Sequence, residues 1–273
     1  MAEIKAADVS KLRKATGAGM MDCKRALQEA DGDFEKAIDI IRKKGKAIAN
    51  KRADREAGEG TVQAGVKGNF GAIISLNCET DFVAKNEDFV AFAKSILDLA
   101  LNEKPENLDA LKKLNLDGKS VEERIIEQTG IIGEKLELAF YDFIKAENVM
   151  EYNHFGNNLA TIVGFNKSDV DYQVARDVAM QIAAMSPIAV DKDDVPAQVI
   201  EKEKEIGRGK ALQEGKPENI VDRIAEGTVI KFIKENTLMN QEFTKDSKKT
   251  VGQYLKEYDK DLSVTGFKRF SLK

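Results

Sequence analysis

Thr61-Val62-Gln63-Ala64-Gly65-Val66 runs through Lys67-Gly68-Asn69-Phe70-Gly71 into Ala72-Ile73-Ile74-Ser75-Leu76-Asn77-Cys78. The first segment alternates, with Val62, Ala64 and Val66 on one face of a strand. The middle segment turns the chain and the apolar last segment returns as a second strand, so the stretch predicts a β-hairpin. Downstream, about Glu87 to Leu101 predicts a helix bearing Phe89, Phe92, Ala93 and Ile96. Helical sequence continues through Val121 to Ile126, and Leu136 to Ile144 reads as a strand. The second half replays this order. Val149 to His154, the turn Phe155-Gly156-Asn157-Asn158, and Leu159 to Phe165 form another hairpin. A helix from about Tyr172 to Met185 carries Val174, Val178, Ile182 and Met185, and Val264 to Leu272 closes on a strand. Two small antiparallel sheets, each covered by helices, place the chain in the α+β class.

Upstream of the hairpin, the first 55 or so residues read as a compact helical module. Asp8 to Thr16 carries Val9, Leu12 and Thr16 on one side and stops at Gly17. Met20 to Ala30 aligns Met20, Cys23 and Leu27 and stops at Asp31-Gly32, and Asp33 caps a third helix through Phe34, Ala37, Ile38 and Ile41. A three-helix bundle this small resembles the ubiquitin-associated fold and suits docking. Of the adjacent Met20 and Met21, one is expected to pack inward and the other to be displayed. The helical pattern fades near Gly45. The basic stretch Arg42, Lys43, Lys44, Lys46, Lys51, Arg52 and Arg55 therefore reads as a solvated linker, with RNA contact as the sharper alternative, although no aromatic residues are interleaved for base stacking. The expected division is a module and linker over 1–55, a first core subdomain over 56–146 and a second over 147–273. The second contains a charged helical insertion at about 187–227. There Val195 to Glu214 and Pro217 to Ala225 pair as a hairpin along a thin seam of Val199, Ile206, Ile220 and Ile224. A thin seam suggests a projecting arm or partner surface; a solvent-washed hairpin is the alternative. Thr250-Val251-Gly252-Gln253 has the form of a capping box.

Composition narrows the function. The chain has 273 residues, 42% hydrophobic and 33% charged, with a net charge of -4. That mild acidity argues against a general nucleic-acid binder. No apolar run is long enough to span a bilayer, and Met1-Ala2-Glu3-Ile4-Lys5 lacks the apolar segment of a signal peptide. Cys23 and Cys78 are far apart and form no CxxC, which fits reduced thiols in a cytoplasmic protein. Catalytic chemistry is hard to find. His154, the only histidine, sits in a hairpin with no nucleophile elbow nearby and reads as a polar strand-tip residue. One histidine and two separated cysteines make a poor zinc set. Gly118-Lys119-Ser120 echoes a phosphate loop, but Lys113 stands where its first glycine belongs. Gly17-x-Gly19 lacks the third glycine of a dinucleotide loop, since Asp22 stands there. The chain is expected to act by binding, not as an enzyme, and without a cofactor.

The candidate site is Thr80-Asp81-Phe82-Val83-Ala84-Lys85-Asn86, at a strand-to-helix junction. Such junctions lie on the surface and commonly carry function. A phenyl ring presented there can fill a partner's pocket; the alternative is a helix entrance with Phe82 tucked into its own core.

Several motifs carry a resemblance. Lys11-Leu12-Arg13 and Thr16-Gly17-Ala18-Gly19-Met20-Met21-Asp22-Cys23-Lys24 come first, then Asn77-Cys78-Glu79-Thr80-Asp81-Phe82-Val83-Ala84-Lys85. Ile132-Gly133-Glu134, Tyr152-Asn153-His154 and Lys249-Thr250-Val251-Gly252-Gln253 follow. In this order, across nearly the whole chain, they resemble the bacterial elongation factor Ts family. The resemblance implies guanine-nucleotide exchange on elongation factor Tu. It implies that Phe82 wedges between two helices of the partner's nucleotide domain, with Asp81 contacting the same region and Thr80 and Val83 shaping the tip. Displacement of magnesium and disturbance of the phosphate loop would follow. It also implies that Arg13, Met20, Met21 and Lys24 dock the N-terminal module, that Ile132 and Gly133 add contacts beside the tip, and that His154 faces another domain of the partner. The arm at 187–227 resembles the family's helical projection, through which a homodimer is possible. No direct nucleic-acid contact is implied. The chain ends at Lys273, just after its last strand, where many members carry a further helical module, so contacts made by such a module are not expected here.

Overall fold

A computed structural model of the chain describes residues 4–272. Residues 1–3, most of the segment read for a signal peptide, and residue 273 lie outside it. Three helices come first: α1 (Ala6–Thr16), α2 (Met20–Glu29) and α3 (Phe34–Lys51). Gly17 ends α1 in the left-handed region at φ 70°, and Asp33 caps α3 by accepting from the Lys36 N–H. Leu12, Cys23, Ala26, Leu27 and Ala37 fill the space between the three helices. The first half of the core then runs β1 (Glu59–Lys67), β2 (Phe70–Cys78), α4 (Asp81–Ala84), α5 (Glu87–Glu103), α6 (Leu108–Lys113), β3 (Asn115–Leu116), β4 (Lys119–Ser120), α7 (Val121–Ile132) and β5 (Glu137–Lys145). The second half runs β6 (Asn148–Asn153), β7 (Leu159–Phe165), α8 (Tyr172–Met185), α9 (Ala197–Gln213), α10 (Glu218–Asn236), β8 (Glu242–Phe243), β9 (Asp246–Thr250), α11 (Val251–Tyr258) and β10 (Val264–Ser271). Among the described residues no helix is long and apolar enough to cross a membrane.

The two main sheets are three-stranded and antiparallel, ordered β1-β2-β5 and β10-β7-β6. Strand alternation sorts their side chains into four layers. Phe70, Ala72, Ile74, Leu76 and Cys78 of β2 point outward under α5, α6 and α7. Ile73 of β2, with Val62 and Ala64 of β1, points the other way and meets Ala160 and Ile162 of β7. The opposite face of β7 puts Val163 and Phe165 beneath α8 and α11. The sheets thus pack against each other, with helices on the outer faces. The buried Thr161 is satisfied on the helical side, its Oγ1 donating to the Ala179 carbonyl at 3.0 Å.

Two sequence expectations are corrected. The basic stretch is not a linker after Gly45: α3 continues to Lys51, and Gly45 is buried. An ideal Cβ on Gly45 would lie 3.6 Å from Gly130 Cα, so two glycines let α3 and α7 approach backbone to backbone. Arg42, Lys44 and Arg52 are paired with Glu127, Asp22 and Glu79. In the arm, α10 does not stop near Ala225 but runs to Asn236, with Pro217 as its N-cap. Its seam is built on small residues: Gly207, Ala211, Val221 and Ala225 are buried, while Ile206 stays 37% exposed. Thr250 and Gln253 form the expected capping box at α11. Gly118-Lys119-Ser120 has a structural role, since Gly118 turns the β3–β4 hairpin in the left-handed region and Ser120 caps α7.

Candidate partner interface

The Thr80–Val83 tip is a single helical turn rooted at both ends. Thr80 is the N-cap of α4, its Oγ1 accepting from the Val83 N–H at 3.4 Å. The same hydroxyl donates to Glu134 Oε1 at 2.7 Å, and the Thr80 N–H donates to Glu134 Oε2 at 3.0 Å. One carboxylate therefore takes both donors of Thr80, and charge-assisted bonds of this kind are the stronger sort. Glu134 is delivered by Gly133, the left-handed C-cap of α7 at φ 81°, which also brings Ile132 and Gly133 beside the root. Glu79 repeats the pattern one residue earlier. It accepts from Arg52 Nη1 at 2.7 and 2.9 Å and from the Lys135 N–H at 2.6 Å. Beneath them, the Cys78 thiol donates to the Thr80 carbonyl at 3.2 Å, and burial pushes its pKa up to about 12.

On this base Val83 and Ile132 pack half-buried against the core, and Phe82 does not. Its ring is 84% exposed. Asp81 and Lys85 form an ion pair at 2.7 Å on the exposed side. The hydrogen bond from Lys85, followed by its charge, holds the Asp81 carboxyl below its ordinary range, so it is ionised at neutral pH. An exposed pair of this kind adds little to stability; it holds the Asp81 carboxylate beside the ring with its charge countered by Lys85.

A second patch lies on the N-terminal module. Arg13, Met20, Met21 and Lys24 line one groove with Val9 and Ser10. Met20 and Met21 are 59% and 58% exposed, which corrects the expectation that one turns inward. The buried stripe of α2 begins one turn later, at Cys23, and continues through Ala26 and Leu27, so the first turn overhangs the bundle core.

His154 stands on the β6–β7 turn, exposed, with Nδ1 3.0 Å from Tyr152 Oη. Asn153 ties this turn to the edge of the first sheet. Its Oδ1 accepts from the Ala64 N–H at 2.7 Å and its Nδ2 donates to the Ala64 carbonyl at 2.9 Å. Asn153 and Asn157 thereby share a cleft with Lys85 and Glu87 at the base of the tip. Sequence reading missed Phe155, next to His154 and 96% exposed. The available signal was an aromatic residue in a four-residue turn otherwise made of glycine and asparagine. Glu134 and Glu79 gave no such signal, because no periodicity brings them to Thr80 or Arg52. Among the described residues, no group of three or more His, Cys, Asp or Glu side chains is placed to hold a metal ion.

Comparison with known proteins follows the same pattern. The family model for Elongation factor TS matches residues 79–273. The chain belongs to the elongation factor Ts family. It is 53% identical to Elongation factor Ts of Porphyromonas gingivalis over 266 residues, covering 97% of each chain. It is 51% identical to that of Amoebophilus asiaticus, over 97% of this chain and 98% of that one. With that of Christiangramia forsetii it shares 48% identity over the full length of both. The match to the family model begins at Glu79, one residue before the braced tip, and these family members cover the N-terminal groove as well.

Proposed function

We propose that this chain is a guanine-nucleotide exchange factor for elongation factor Tu, acting through Phe82 as a wedge and without covalent chemistry. The observation that carries the reading is an 84% exposed phenyl ring on a helical turn whose root is fixed by two carboxylates. A ring held in water has its burial energy still to gain, about 2 kcal/mol for a phenylalanine side chain. A fixed root means little of that gain is lost to ordering the tip on binding. Inserted between two helices of the partner's nucleotide domain, Phe82 displaces the magnesium ion and disturbs the phosphate loop. GDP then loses the charge that bridges it to the protein. Asp81 contacts the same region, and Thr80 and Val83 set the wedge's angle. Ile132 and Gly133 extend the contact, the groove of Arg13, Met20, Met21 and Lys24 docks beside it, and His154 faces another domain of the partner. Self-association, where it occurs, would run through the arm, which displays Leu212 and Ile230 at 58% and 69% exposure.

Such a factor need only bind the empty partner more tightly than the nucleotide-bound one. The coupling is reciprocal, so GDP weakens the factor as the factor weakens GDP. A wedge contributing about 2–4 kcal/mol shifts the equilibrium roughly 30- to 1,000-fold. The test is stopped-flow release of a fluorescent GDP analogue from elongation factor Tu. The native chain is expected to accelerate release strongly, and Phe82→Ala to lose most of that acceleration with an unchanged circular dichroism spectrum. Release unaffected by the native chain would overturn the exchange reading. Full activity in Phe82→Ala would move the wedge elsewhere.

A further inference from the structure

We propose that the cavity between the N-terminal module and the core binds a dianionic phosphate group, either inorganic phosphate or the head of a small phosphate monoester. The cavity holds about 140 Å³ between the α1–α2 turn, α3, the β3–β4 hairpin and α7. Its lining cations are Arg42, Lys44, Lys119 and Arg124, and its lining carboxylates are Asp22 and Glu127, an excess of two positive charges. Asp39 and Asp117 reach Arg42 and Arg124 from the rim at 3.6 and 3.8 Å, but they are 64% and 76% exposed, and water screens them.

The internal pairing is uneven: Asp22 holds Lys44, while the other three cations share one carboxylate. Glu127 alone serves three of them: Lys119, Arg124 at 3.2 Å and Arg42 at 3.8 Å. Arg124 Nε is buried with no hydrogen-bond partner. A buried donor left unmade is costly, and such groups call for an explanation in a missing partner. The start of α2 opens on the same space. Gly19, its N-cap, lines the cavity and offers no side-chain cap, so the first N–H groups of a ten-residue helix face this space, with the first-turn Asp22, already held by Lys44, as the one carboxylate beside them. Two guanidinium forks that share Glu127 and a helix start without a side-chain cap match the oxygens of a phosphate, with the paired Lys44 and Lys119 adding charge at the wall. Ile41 and Ile131, on the same lining, suit the short carbon part of a monoester. Because the walls come from both the module and the core, a bound dianion bridges the two.

The experiment is calorimetric titration of the full chain with inorganic phosphate and, separately, glycerol phosphate, at constant ionic strength set with chloride. Saturable one-to-one binding is expected, with the thermal midpoint rising as the site fills. Arg124→Gln is expected to weaken binding at least tenfold. Glu127→Gln removes the competing carboxylate and is expected to strengthen it, a sign that general destabilisation would not produce. Should Arg124→Gln fail to fold, the half-exposed Arg42→Gln takes its place. Tighter binding of glycerol phosphate assigns the site to a monoester; equal or weaker binding assigns it to free phosphate. No saturable heat with either probe, unchanged affinity in the folded arginine variant, or weaker binding in Glu127→Gln would each overturn the proposal.

Discussion

Glu79 joins three segments with one carboxylate: the end of α3 through Arg52, the end of β2, which it directly follows, and the segment leading into β5 through the Lys135 N–H. Its carboxyl lies below the ordinary value of 4.5, chiefly because the Lys135 N–H donates to it, with the Arg52 hydrogen bond and charge adding to that effect against burial. A depressed carboxylate contributes stability that is present above its unfolded pKa and is lost as pH falls through the folded one. The native chain should therefore lose stability more steeply than Glu79→Gln as pH falls below 4.5, and urea titrations of the two at stepped pH measure the difference. Parallel curves would mean that Glu79 is not the group being titrated. Phe155 poses a different question. At 96% exposure its removal should leave the thermal midpoint unchanged. Under the exchange reading, Phe155→Ala should raise the factor concentration needed for half-maximal GDP release severalfold and leave the maximal rate alone. Phe82→Ala, by contrast, is expected on the same reading to lower the maximum. The strand-to-helix junction carrying Phe82 was legible in the sequence because two well-patterned elements flank it; the sequence alone leaves open whether the ring faces water or its own core, and its exposure is seen only in the fold. The carboxylates that brace the tip were not legible, because Glu134 is 54 residues from Thr80 and only the fold brings them together.

Where two elements meet, glycine decides how closely. Gly45 and Gly130 lie opposite each other in α3 and α7, yet their surroundings differ. An added Cβ on Gly45 would be in ordinary contact at 3.6 Å, whereas one on Gly130 would lie 2.3 Å from Gly45 Cα. Gly45→Ala should be neutral or stabilising by up to about 1 kcal/mol, the helix-propensity gain. Gly130→Ala should part the helices and destabilise by about 1–3 kcal/mol, the cost of overpacking. The arm offers the same contrast: Gly207 faces Ala225 Cα at 2.9 Å, while Gly209 and Gly227 face open space. Denaturant unfolding of these five alanine variants should sort them into two groups along those lines. Equal effects at Gly45 and Gly130 would contradict the close contact. Hairpins, the α5 and α8 helices and the capping box were legible because periodicity and caps are local. The continuation of α3 was not. A glycine reads as a breaker from sequence, and here it is retained because a neighbouring backbone occupies the place of its side chain. The length of α10 was misread for a related reason, since Gly227 lies on an open helix face and breaks nothing.

At the scale of the molecule, the two halves are joined by the inner faces of their sheets, a contact that alternation in Val62, Ala64 and Val66 announced without naming its partner. Each face could have met a helix; only the assembled register shows that it meets Ala160 and Ile162. The same view separates the arm from the core. The cluster beneath α8 draws on Leu238, Val251, Leu255 and Val264, and none of its residues comes from α9 or α10. The arm's base is closed by a parallel bridge between Ala189 and Thr237, with the Ile188 N–H donating to the Asn236 carbonyl at 2.9 Å and the Leu238 N–H to the Ala189 carbonyl at 3.0 Å. Asp191 also belongs to the core side, since Asn240 Nδ2 donates to it at 2.8 Å. The ends of the insertion are therefore already held together, and a short connection can replace what lies between. Replacing residues 195–234 with a short glycine-serine linker removes a helical pair and slightly lowers the cost of closing the loop. The remaining chain should still unfold in one cooperative step, with a midpoint within about 4 °C of the native one, equivalent to about 1 kcal/mol or slightly more for a chain of this size. Differential scanning calorimetry decides it. A broad or much lower transition would mean that the arm is part of the core's cooperative unit and that the closed base reflects support running from the arm inward.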